Sequence, residues 1–580
     1  MHDCQELTFK SRRQLSRTGG REVTKRTRKT IWGVGILLLV AMLMVLVVGC
    51  GEDEEASTTT AAPTTTVGST DTTAPASTDT TAPAETTTTA AAGPVAGGTL
   101  RWIANAGPQV LGYWPTMGPT EEGALFPAVE RIMKFVRGRG MAPDLAESVE
   151  EDPAALTMTI KLHEGVKFHD GTELTAQVAK FNYDLAAPTG KLQFADAIKE
   201  FEIVDNYTYV LHLNYWHNQL MQSLAWVPMF SQAAYEAGGA TEEERIAWAS
   251  DNCVGTGPFK LVEFNRDQSL KYVKNEDWWG GEVLLDGIDE SIIVDATTAS
   301  QMMQAGEADV WSSSDAKARK EMEDLGFKTQ SDWAGFQYHL MPNTADPASP
   351  ASNQLVREAV EYALDKPAIC DAIGYGFAEP IYAVAPEGEW GADRIVVKRE
   401  YDPEKAKALL VEAGYPDGCP IDILCVAEAG GRSTGGEAAK GYLDAAGFIT
   451  NLDIADAGRF YGSVFGTGWK DFAFMFSGND VVYLMSCCAW WGPQPKTNLA
   501  SFQRPDEFNA LFEPALQART EEEQIQKTGD IVAMMNEEAL MIPVFHYPAA
   551  VVIQDYVHTE YPIEAGFVGW SWGTTWMDPH

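Results

Sequence analysis

The sequence lacks the short motifs on which many enzymes depend. Its nine histidines are scattered, and no His-Glu-x-x-His pattern, which would hold a zinc ion, is present. A Walker phosphate loop and a dinucleotide-binding Gly-x-Gly-x-x-Gly motif after a strand are also absent. These absences argue against a zinc peptidase, a nucleotide hydrolase and a nicotinamide-dependent oxidoreductase. We therefore expect no metal and no cofactor.

Basic residues are scarce beyond residue 30. Residues 1–30 hold nine of the 43 lysines and arginines but only three of the 82 acidic residues. The rest of the chain therefore carries 34 basic and 79 acidic side chains, a net charge of −45. Recognition of nucleic-acid phosphates needs a basic surface. The composition therefore argues against a nucleic acid as partner.

An apolar run at Ile31–Val48 follows the basic segment. Such a run can span a bilayer as an uncleaved anchor, or form the hydrophobic region of a secretory signal. The residues that end it, Val47-Val48-Gly49-Cys50, resemble the lipobox of bacterial lipoproteins, in which cleavage leaves a lipid-bearing cysteine at the new amino terminus. We therefore expect a signal peptide at 1–49 and a lipid on Cys50.

Residues 51–98 consist largely of threonine, alanine and proline. A segment of this composition buries too little apolar surface to offset the entropy of ordering. We therefore expect residues 50–97 to be a lipidated, disordered tether, which holds a folded head on the outer face of the cell membrane. Threonine-rich segments with proline also accept O-glycans, and the sequence leaves that possibility open.

The pattern of apolar residues predicts mixed helices and strands in the body of the chain. Alternation of apolar and polar residues indicates strands at 99–103, 156–162 and 207–213. Thr175 is a good N-cap for a helix over 176–185. These elements predict an α/β protein, and 580 residues are enough for more than one domain.

Two further elements are well specified by their end signals. Apolar residues alternate in 259–261 and 270–272 around a turn, which predicts a hairpin. Asp402 is placed to cap a packing helix over 403–413, and Gly414 is placed to end it.

Seven sequence motifs follow one another through the body. They are Pro143–Ser148, Leu162–Thr172, Gly255–Lys260, Lys274–Trp279, Gly306–Val310, Val356–Lys366 and Tyr401–Pro416. Together they resemble the signature motifs of the extracytoplasmic solute-binding proteins of family 5, the peptide, dipeptide and nickel type of component that serves an ABC importer. The resemblance runs from about residue 98 to residue 565.

The resemblance implies a periplasmic-binding-protein-like fold. Two α/β lobes are then joined by two crossover strands, and the lobes close on a ligand in the cleft between them. We expect the crossings at Ile288–Val294 and Leu540–Val544. Lobe one is then 98–292 plus 543–580, and lobe two is 293–542.

Asp480 follows a predicted buried strand at Phe472–Phe476. Ligands of α/β lobes lie beyond the carboxyl ends of strands. The resemblance implies that this aspartate binds the ammonium group of a peptide, although Phe476, Ser477 and Asn479 replace the family's Gly, Trp and Ala at the motif. Asp480 is therefore a predicted ligand contact, with a turn-capping role as the alternative.

Aromatic residues near Asp480 and near the first strand are further predicted ligand contacts. Trp490, Trp491 and Tyr483 form a dense aromatic group, and aromatic rings serve clefts as rigid stacking surfaces. Trp114 and Tyr113 lie where members of the family often touch ligand. Core packing is the alternative for all five.

Six cysteines remain beyond Cys50, an even number in a compartment where disulfides are possible. Cys419 and Cys425 are close enough in sequence to form a local pair around Pro420. The adjacent Cys487 and Cys488 would be strained if bonded. The sequence does not fix the connectivity.

The expected function is that of a lipid-anchored, monomeric receptor, not an enzyme. It captures a small ligand, with a peptide or peptide-like compound ranked first, and delivers it to an ABC permease complex. One alternative is a secreted hydrolase that uses paired carboxylates. Another is a receptor for signalling peptides that takes no part in transport.

Overall fold

In the computed structural model of the chain, residues 93–136, 140–313, 315–427, 432–478, 483–493, 499–559 and 572–579 are described. The predicted signal peptide, Cys50, most of the tether and Asp480 lie outside these ranges. Within the described ranges, every helix falls short of the length and apolar content that a bilayer-spanning helix needs.

Strands account for much of the described body. They are β1 (Thr99–Ala104), β2 (Met133–Val136), β3 (Gly140–Pro143), β4 (Ala146–Asp152), β5 (Thr157–Leu162), β6 (Ile198–Ile203), β7 (Thr208–Leu213), β8 (Phe259–Asn265), β9 (Ser269–Lys274), β10 (Gly287–Ile292), β11 (Val310–Ser312), β12 (Lys328–Pro342), β13 (Glu379–Pro380), β14 (Cys419–Val426), β15 (Phe448–Ala455), β16 (Phe472–Gly478), β17 (Ile542–Ile553), β18 (Val557–His558) and β19 (Trp576–Met577). The predicted strands at 99–103, 156–162 and 207–213 and the hairpin of β8 and β9 are confirmed.

Helices of varied length connect the strands. They are α1 (Pro119–Leu125), α2 (Ala176–Ala186), α3 (Leu220–Ala225), α4 (Gln232–Ala237), α5 (Glu242–Asp251), α6 (Ala296–Gln304), α7 (Ala316–Asp324), α8 (Gln354–Ala363), α9 (Lys366–Gly374), α10 (Pro403–Glu412), α11 (Arg432–Ala445), α12 (Ala457–Gly462), α13 (Tyr483–Trp490), α14 (Asp506–Asn509), α15 (Phe512–Leu516) and α16 (Glu521–Glu537). Short 3₁₀ turns and one π turn at Ser463–Thr467 complete the connections.

Two of these helices begin or end at the capping residues that the sequence predicts. The Thr175 hydroxyl accepts a hydrogen bond from the amide of Val178 at the start of α2, at 3.4 Å. A carboxylate oxygen of Asp402 accepts one from the amide of Lys405 at the start of α10, at 2.9 Å. Gly414 then adopts a φ of 97°, which glycine tolerates without steric cost and which ends the helix.

One large mixed sheet organises the body. Its strands lie in the order β15-β14-β16-β12-β17-β11-β1-β10-β9-β8, and β13 pairs with β17 at its side. β1 is parallel to both β10 and β11, whereas β12 is antiparallel to β16 and β17. A separate four-stranded antiparallel sheet, in the order β4-β5-β7-β6, packs into the first part of the chain.

Side chains of this sheet alternate between two apolar layers. In β16, Phe472 and Phe474 pack in one buried cluster, while Ala473 and Met475 pack in another. In β1, Leu100 packs in a third cluster and Ile103 in a fourth. Successive strand residues point to opposite faces, so the large sheet is covered by apolar side chains on both sides.

The four clusters define two cores along the chain. The first core joins the clusters around Leu100 and Ile103, and it includes residues of β17 such as Val551 and Val552. The second core joins the clusters of β16, and it includes Val544 at the other end of β17. The body is therefore built as two α/β lobes, in agreement with the predicted fold class.

The strands that pass between the two cores are β12 and β17, which pair along most of their lengths. The predicted first crossing at Ile288–Val294 begins in β10, where Ile288 lies in the first core, and it stays a prediction. The predicted return at Leu540–Val544 falls at the start of β17. The predicted lobe limits, 98–292 plus 543–580 and 293–542, stay a prediction.

Candidate functional site

The end of β16 is held by a buried polar network. The Nε2 atom of His339 and the hydroxyl of Ser477 lie 2.7 Å apart, and this hydroxyl is 3.1 Å from the side-chain oxygen of Gln337. Burial, together with the positive charge of Lys366, lowers the pKa of His339 to about 3. The imidazole is therefore neutral, and its contact with Ser477 lies just before the segment that carries Asp480.

Tyr483 and Trp491 lie at the two ends of the helical segment that follows. Both side chains are buried in the second core, with exposed fractions of 0% and 1%, and their ring centroids are 6.4 Å apart. The Tyr483 hydroxyl donates a hydrogen bond to the carbonyl of Val384, and burial raises its pKa. In this structure both residues contact protein, and their role as ligand contacts stays a prediction.

Trp490 differs from these two because its side chain is only half-buried. Arg504 fixes the backbone beside it, since its guanidinium donates to the carbonyl of Trp491 at 2.9 Å and to that of Trp490 at 3.4 Å. Of the three aromatic residues predicted in this segment, Trp490 has the side chain with the most surface left for a ligand.

Tyr113 and Trp114 belong to the other lobe. The Tyr113 ring stacks on Tyr235 with centroids 6.3 Å apart, and Trp114 is buried in the first core. The indole N–H of Trp114 has no hydrogen-bond partner in the described part of the chain, and the ammonium of Lys191 lies 5.0 Å from the ring centroid. The structure thus distributes the predicted aromatic contacts over both lobes, and no described ring contact joins the two groups.

The two lobes touch through Asn218. Its side-chain amide donates to the carbonyls of Ala515 and Ala518 at 2.7 and 3.1 Å, and its backbone amide donates to the carbonyl of Leu516 at 2.9 Å. The indole of Trp216 adds a bond to the carbonyl of Ala518 at 3.3 Å. These bonds cross between the lobes, so they form only when the lobes are together.

The bonds of Asn218 and Trp216 to the second lobe form a hydrogen-bonded contact that we call the clasp. An apolar contact accompanies it. Phe194 packs against the cores of both lobes and stacks on His217 with centroids 3.8 Å apart. Burial lowers the pKa of His217 to about 4, so the ring is neutral near pH 7. A charged ring would be unfavourable between Phe194 and the second lobe.

The second lobe also contains an open pocket of about 540 Å³. Its wall is formed by the segment 379–395, which runs from β13 along the face of α16. The lining side chains include four carboxylates and one tyrosine, namely Glu379, Glu387, Glu389, Asp393 and Tyr382, and no lysine or arginine. The electrostatic character of the pocket therefore favours a cationic group over an anionic one.

The predicted pairing of Cys419 with Cys425 is wrong. Both lie in β14, six residues apart, which places their Cα atoms about 20 Å from each other. A disulfide needs Cα atoms within about 7 Å. All six cysteines of the described body, including Cys487 and Cys488 in α13, are buried free thiols.

The sequence interpretation missed the residues that join the lobes. Trp216, His217 and Asn218 stand in a short segment with no strong periodicity. All three are buried, Trp216 as part of the first core and Asn218 with bonds to the second lobe. The lining of the acidic pocket was also missed, because its carboxylates look like ordinary surface residues in the sequence. A local pattern carries no signal for a contact with residues about 300 positions away.

These features define a class of protein, a two-lobed α/β binding protein with its lobes in contact. Comparison with known proteins identifies the family. The family model described as "Bacterial extracellular solute-binding proteins, family 5 Middle" matches residues 140–503. The match covers more than half of the chain, so the chain belongs to this family of solute-binding proteins, as the seven motifs predicted.

Individual relatives support the same assignment. The chain is similar to heme-binding protein A of Haemophilus influenzae, with 27% identity over 498 residues, 78% of this chain and 89% of that protein. It is also similar to di/tripeptide-binding protein 3 of Pseudomonas aeruginosa, with 29% identity over 336 residues, 53% of this chain. The match spans 62% of that second relative, which is less than two thirds of its length.

A solved structure shares the fold over nearly the whole body. The periplasmic binding protein DppA of Helicobacter pylori, in complex with peptide STSA, has a TM-score of 0.72 and 21% identity. The alignment covers 84% of this chain and 99% of that one. The two-lobed periplasmic-binding-protein fold is therefore that of this chain.

Proposed function

We propose that this protein is a receptor that captures a peptide or peptide-like ligand between its lobes and delivers it to an ABC permease. It acts without turnover, as a monomer on the outer face of the cell membrane, held by a lipid on Cys50. The observation that carries capture by closure is the clasp at Asn218, because its bonds to Ala515 and Ala518 exist only when the lobes meet.

The proposed ligand class rests on charge and on the relatives. Four carboxylates and no lysine or arginine line the pocket of segment 379–395, which suits the ammonium group of a peptide, while Lys366 and Lys398 contact the lining Tyr382 ring at 4.8 and 4.6 Å. A relative is a di/tripeptide-binding protein, and a structural neighbour is in complex with a peptide. Asp480 is proposed to add a further carboxylate, and Trp490, Trp491, Tyr483, Trp114 and Tyr113 are proposed to form the aromatic surfaces of the cleft.

Native mass spectrometry of the purified head, combined with tryptophan fluorescence, tests this proposal. We expect a copurified ligand that is released on unfolding, and a saturable fluorescence change when short peptides are added back to the emptied protein. The expected stoichiometry is one ligand per chain, without product. Absence of any peptide response would overturn the proposed ligand class.

Haem is a second candidate ligand, because the similarity to heme-binding protein A extends over 78% of this chain. Absorbance distinguishes the two candidate ligands, since bound haem gives a strong band near 400 nm that peptides lack. We expect no such band in the purified protein and no saturable band on titration with hemin. A one-to-one haem complex would replace the peptide proposal.

An enzymatic alternative also has a concrete test. The segment Gly431–Gly435 reads Gly-Arg-Ser-Thr-Gly, which fits the Gly-x-Ser-x-Gly pattern of serine hydrolases, and its residues from Arg432 onward form the start of α11. We expect no hydrolysis of p-nitrophenyl acetate above that of a Ser433→Ala variant. Turnover that depends on Ser433 would show that the protein is a hydrolase.

The proposed anchor is tested on the mature protein itself. Mass spectrometry is expected to show an amino terminus at Cys50 that carries diacylglycerol, and a Cys50→Ala variant is expected to leave the membrane fraction or to retain its signal peptide. An unmodified Cys50 inside an intact amino-terminal segment would contradict lipid anchoring.

A further inference from the structure

Arg319 is buried at the junction of the two cores. It lies on α7, whose Ala316 packs in the second core and whose Ala318 packs in the first. Its side chain has an exposed fraction of 0%. A guanidinium retains its charge at any physiological pH, so burial at this place is costly unless its donors are satisfied.

The residues around Arg319 provide partners for only part of its guanidinium group. The guanidinium carbon lies 3.9 Å from the ring centroid of Phe377 and 5.0 Å from that of Tyr547. Its Nη1 atom donates to the carbonyl of Pro548 at 3.4 Å, a long bond. The Nε and Nη2 atoms are buried, and no described residue is their hydrogen-bond partner.

Those two unpartnered atoms form one edge of the guanidinium. Nε and Nη2 present parallel N–H groups at the spacing of the two oxygens of a carboxylate, which is why arginine binds carboxylates in a bidentate way. The hydroxyl of Tyr547, whose ring lies against Arg319, is also buried and without a partner. Three donors are therefore left without an acceptor in one place.

No carboxylate of the chain forms an ion pair with Arg319 among the described residues. The nearest acidic groups on its own helix are engaged elsewhere. Asp315 accepts a hydrogen bond from the amide of Ala318 at 2.9 Å, and Glu323 accepts one from the hydroxyl of Thr329. Within the part of the chain that the structure describes, the free edge therefore has no acceptor.

The backbone at this junction is irregular in the same place. The pairing of β12 with β17 shifts its register between Ser331 and Gly335, opposite Pro548 and Ala550. Extra residues in one strand interrupt the ladder and bend it. The shift lies where β17 passes from Tyr547 in the second core to Val551 in the first, so the unpartnered donors lie at the pair of strands that connects the two cores.

From these observations we infer that Arg319 and Tyr547 form a carboxylate-binding site at the junction of the lobes, with the Nε and Nη2 atoms of Arg319 as a bidentate donor. The site takes either a carboxylate of the captured ligand or a small free carboxylate such as acetate. Arg319 and Tyr547 are not among the residues that line the acidic pocket, and the site does not require the captured ligand to be a peptide.

The test compares the melting temperature of the protein in sodium acetate and in sodium chloride at equal ionic strength. Arg319→Met removes the charge and keeps an apolar side chain, a change that buried positions often tolerate well. Lys317→Met, on the exposed face of the same helix, is the matched control for the lost charge. We expect acetate to stabilise the wild type and Lys317→Met, but not Arg319→Met.

Two outcomes would overturn the site. One is equal stabilisation by acetate of the wild type and Arg319→Met. The other is equal stabilisation of the wild type by chloride and acetate, which would indicate a nonspecific effect of anions. If Arg319→Met does not fold, Tyr547→Phe tests the site instead. Loss of the Tyr547 hydroxyl is expected to weaken acetate binding about fivefold. An unchanged acetate affinity of Tyr547→Phe would then reject the site.

A peptide pair identifies the source of the carboxylate. The tetrapeptide Ser-Thr-Ser-Ala, as free acid and as carboxyl-terminal amide, is titrated into wild type and Arg319→Met. If the captured ligand supplies the group, the acid binds the wild type about 30-fold more tightly than the amide, and the difference vanishes in Arg319→Met. If neither peptide binds while the acetate effect depends on Arg319, the peptide proposal fails and the site stands.

Discussion

The carboxylate of Glu130 accepts a hydrogen bond from the indole Nε1 of Trp279 at 2.7 Å. The neighbouring Trp278 donates a second such bond at 3.0 Å. Burial nevertheless raises the pKa of Glu130 to about 8, and repulsion from Asp144 adds to the shift. The two tryptophans that end a family motif therefore enclose a carboxyl group within the first lobe, and their role in this chain is structural.

Stability is expected to fall as pH rises from about 5 to about 8. The ordinary pKa of Glu130 is 4.5, so between 4.5 and about 8 the folded protein holds a proton that the unfolded chain has released. The free energy of unfolding then decreases with pH, by a few kcal/mol in all. Glu130→Gln removes the titrating group and keeps an acceptor oxygen for one of the two indoles. Urea unfolding at several pH values should show a lower stability and a shallower slope.

The slope should not vanish in that variant. Burial also raises the pKa of Glu290 to about 8, so this residue contributes in the same direction. Glu243→Gln, on the exposed face of α5, serves as control and should leave the slope unchanged. Identical slopes in wild type and Glu130→Gln would show that Glu130 is not protonated in the folded state.

Arg399 and Glu361 form a buried ion pair in the second lobe. Their side chains are each 2% exposed, and Nη1 of Arg399 lies 3.3 Å from the carboxylate of Glu361. Arg399→Met should lower the free energy of unfolding by about 3–5 kcal/mol, because it leaves a buried carboxylate without its partner. Urea unfolding measures the loss.

A second substitution separates charge from packing. The double variant Arg399→Met with Glu361→Leu also removes the buried carboxylate, while the charges of Lys366 and Glu358 remain, so it should recover part of the stability that Arg399→Met alone loses. Arg394→Met breaks the partly exposed pair with Asp530 and should cost no more than about 1 kcal/mol. A double variant as unstable as the single one would assign the loss to packing.

The six cysteines of the body are expected to be thiols in the isolated protein. Burial raises the pKa of Cys419, Cys425 and Cys370 to about 12, so the reactive thiolate is rare at neutral pH. Iodoacetamide should modify none of the six in the native protein and all of them after unfolding without reductant. Peptide mapping gives the result, and any cysteine that reacts only after reduction would reveal a disulfide.

Much of the fold could be predicted because its signals are local. Alternation in 259–261 and 270–272, the cap at Thr175 and the glycine at Gly414 each act within a few residues, and the structure confirms all of them. The seven motifs identified the family for the same reason, because each is a local sequence pattern. Packing between distant elements has no such local signature.

The site was harder to predict because burial depends on what covers a residue. Trp491 and Trp490 are neighbours with the same side chain, yet the first is buried in the second core and the second is half-buried. Asn218 and Arg319 owe their roles to partners about 200 to 300 positions away. A sequence shows the residue types and leaves these partners unspecified.

Asp480 stays the predicted contact for a ligand ammonium group. Asp480→Asn removes the charge and keeps the size, so affinity for a peptide with a free amino terminus should fall about tenfold or more. Affinity for the same peptide with an acetylated amino terminus should not change. Isothermal titration measures both, and Asp371→Asn, on an exposed part of α9, is the control. Equal losses for the two peptides would argue against ammonium recognition.

Asn218 should contribute to ligand affinity without touching ligand. Its bonds to Ala515 and Ala518 exist only when the lobes are together, so Asn218→Ala raises the free energy of the closed state relative to the open one. We expect a dissociation constant about tenfold higher, from about 1 kcal/mol lost per hydrogen bond and partial compensation by water. Small-angle scattering should show a larger radius of gyration for the variant without ligand.

The control is Asn214→Ala in the same loop. The Asn214 amide donates to the carbonyl of Asp196 at 2.9 Å, within the first lobe, so this variant loses a similar bond that does not cross between lobes. Its affinity and radius of gyration should match those of the wild type. Equal effects of the two substitutions would mean that Asn218 only orders its loop. An effect confined to Asn218→Ala would show that the bonds of Asn218 stabilise the closed state relative to the open state, and so contribute to ligand affinity.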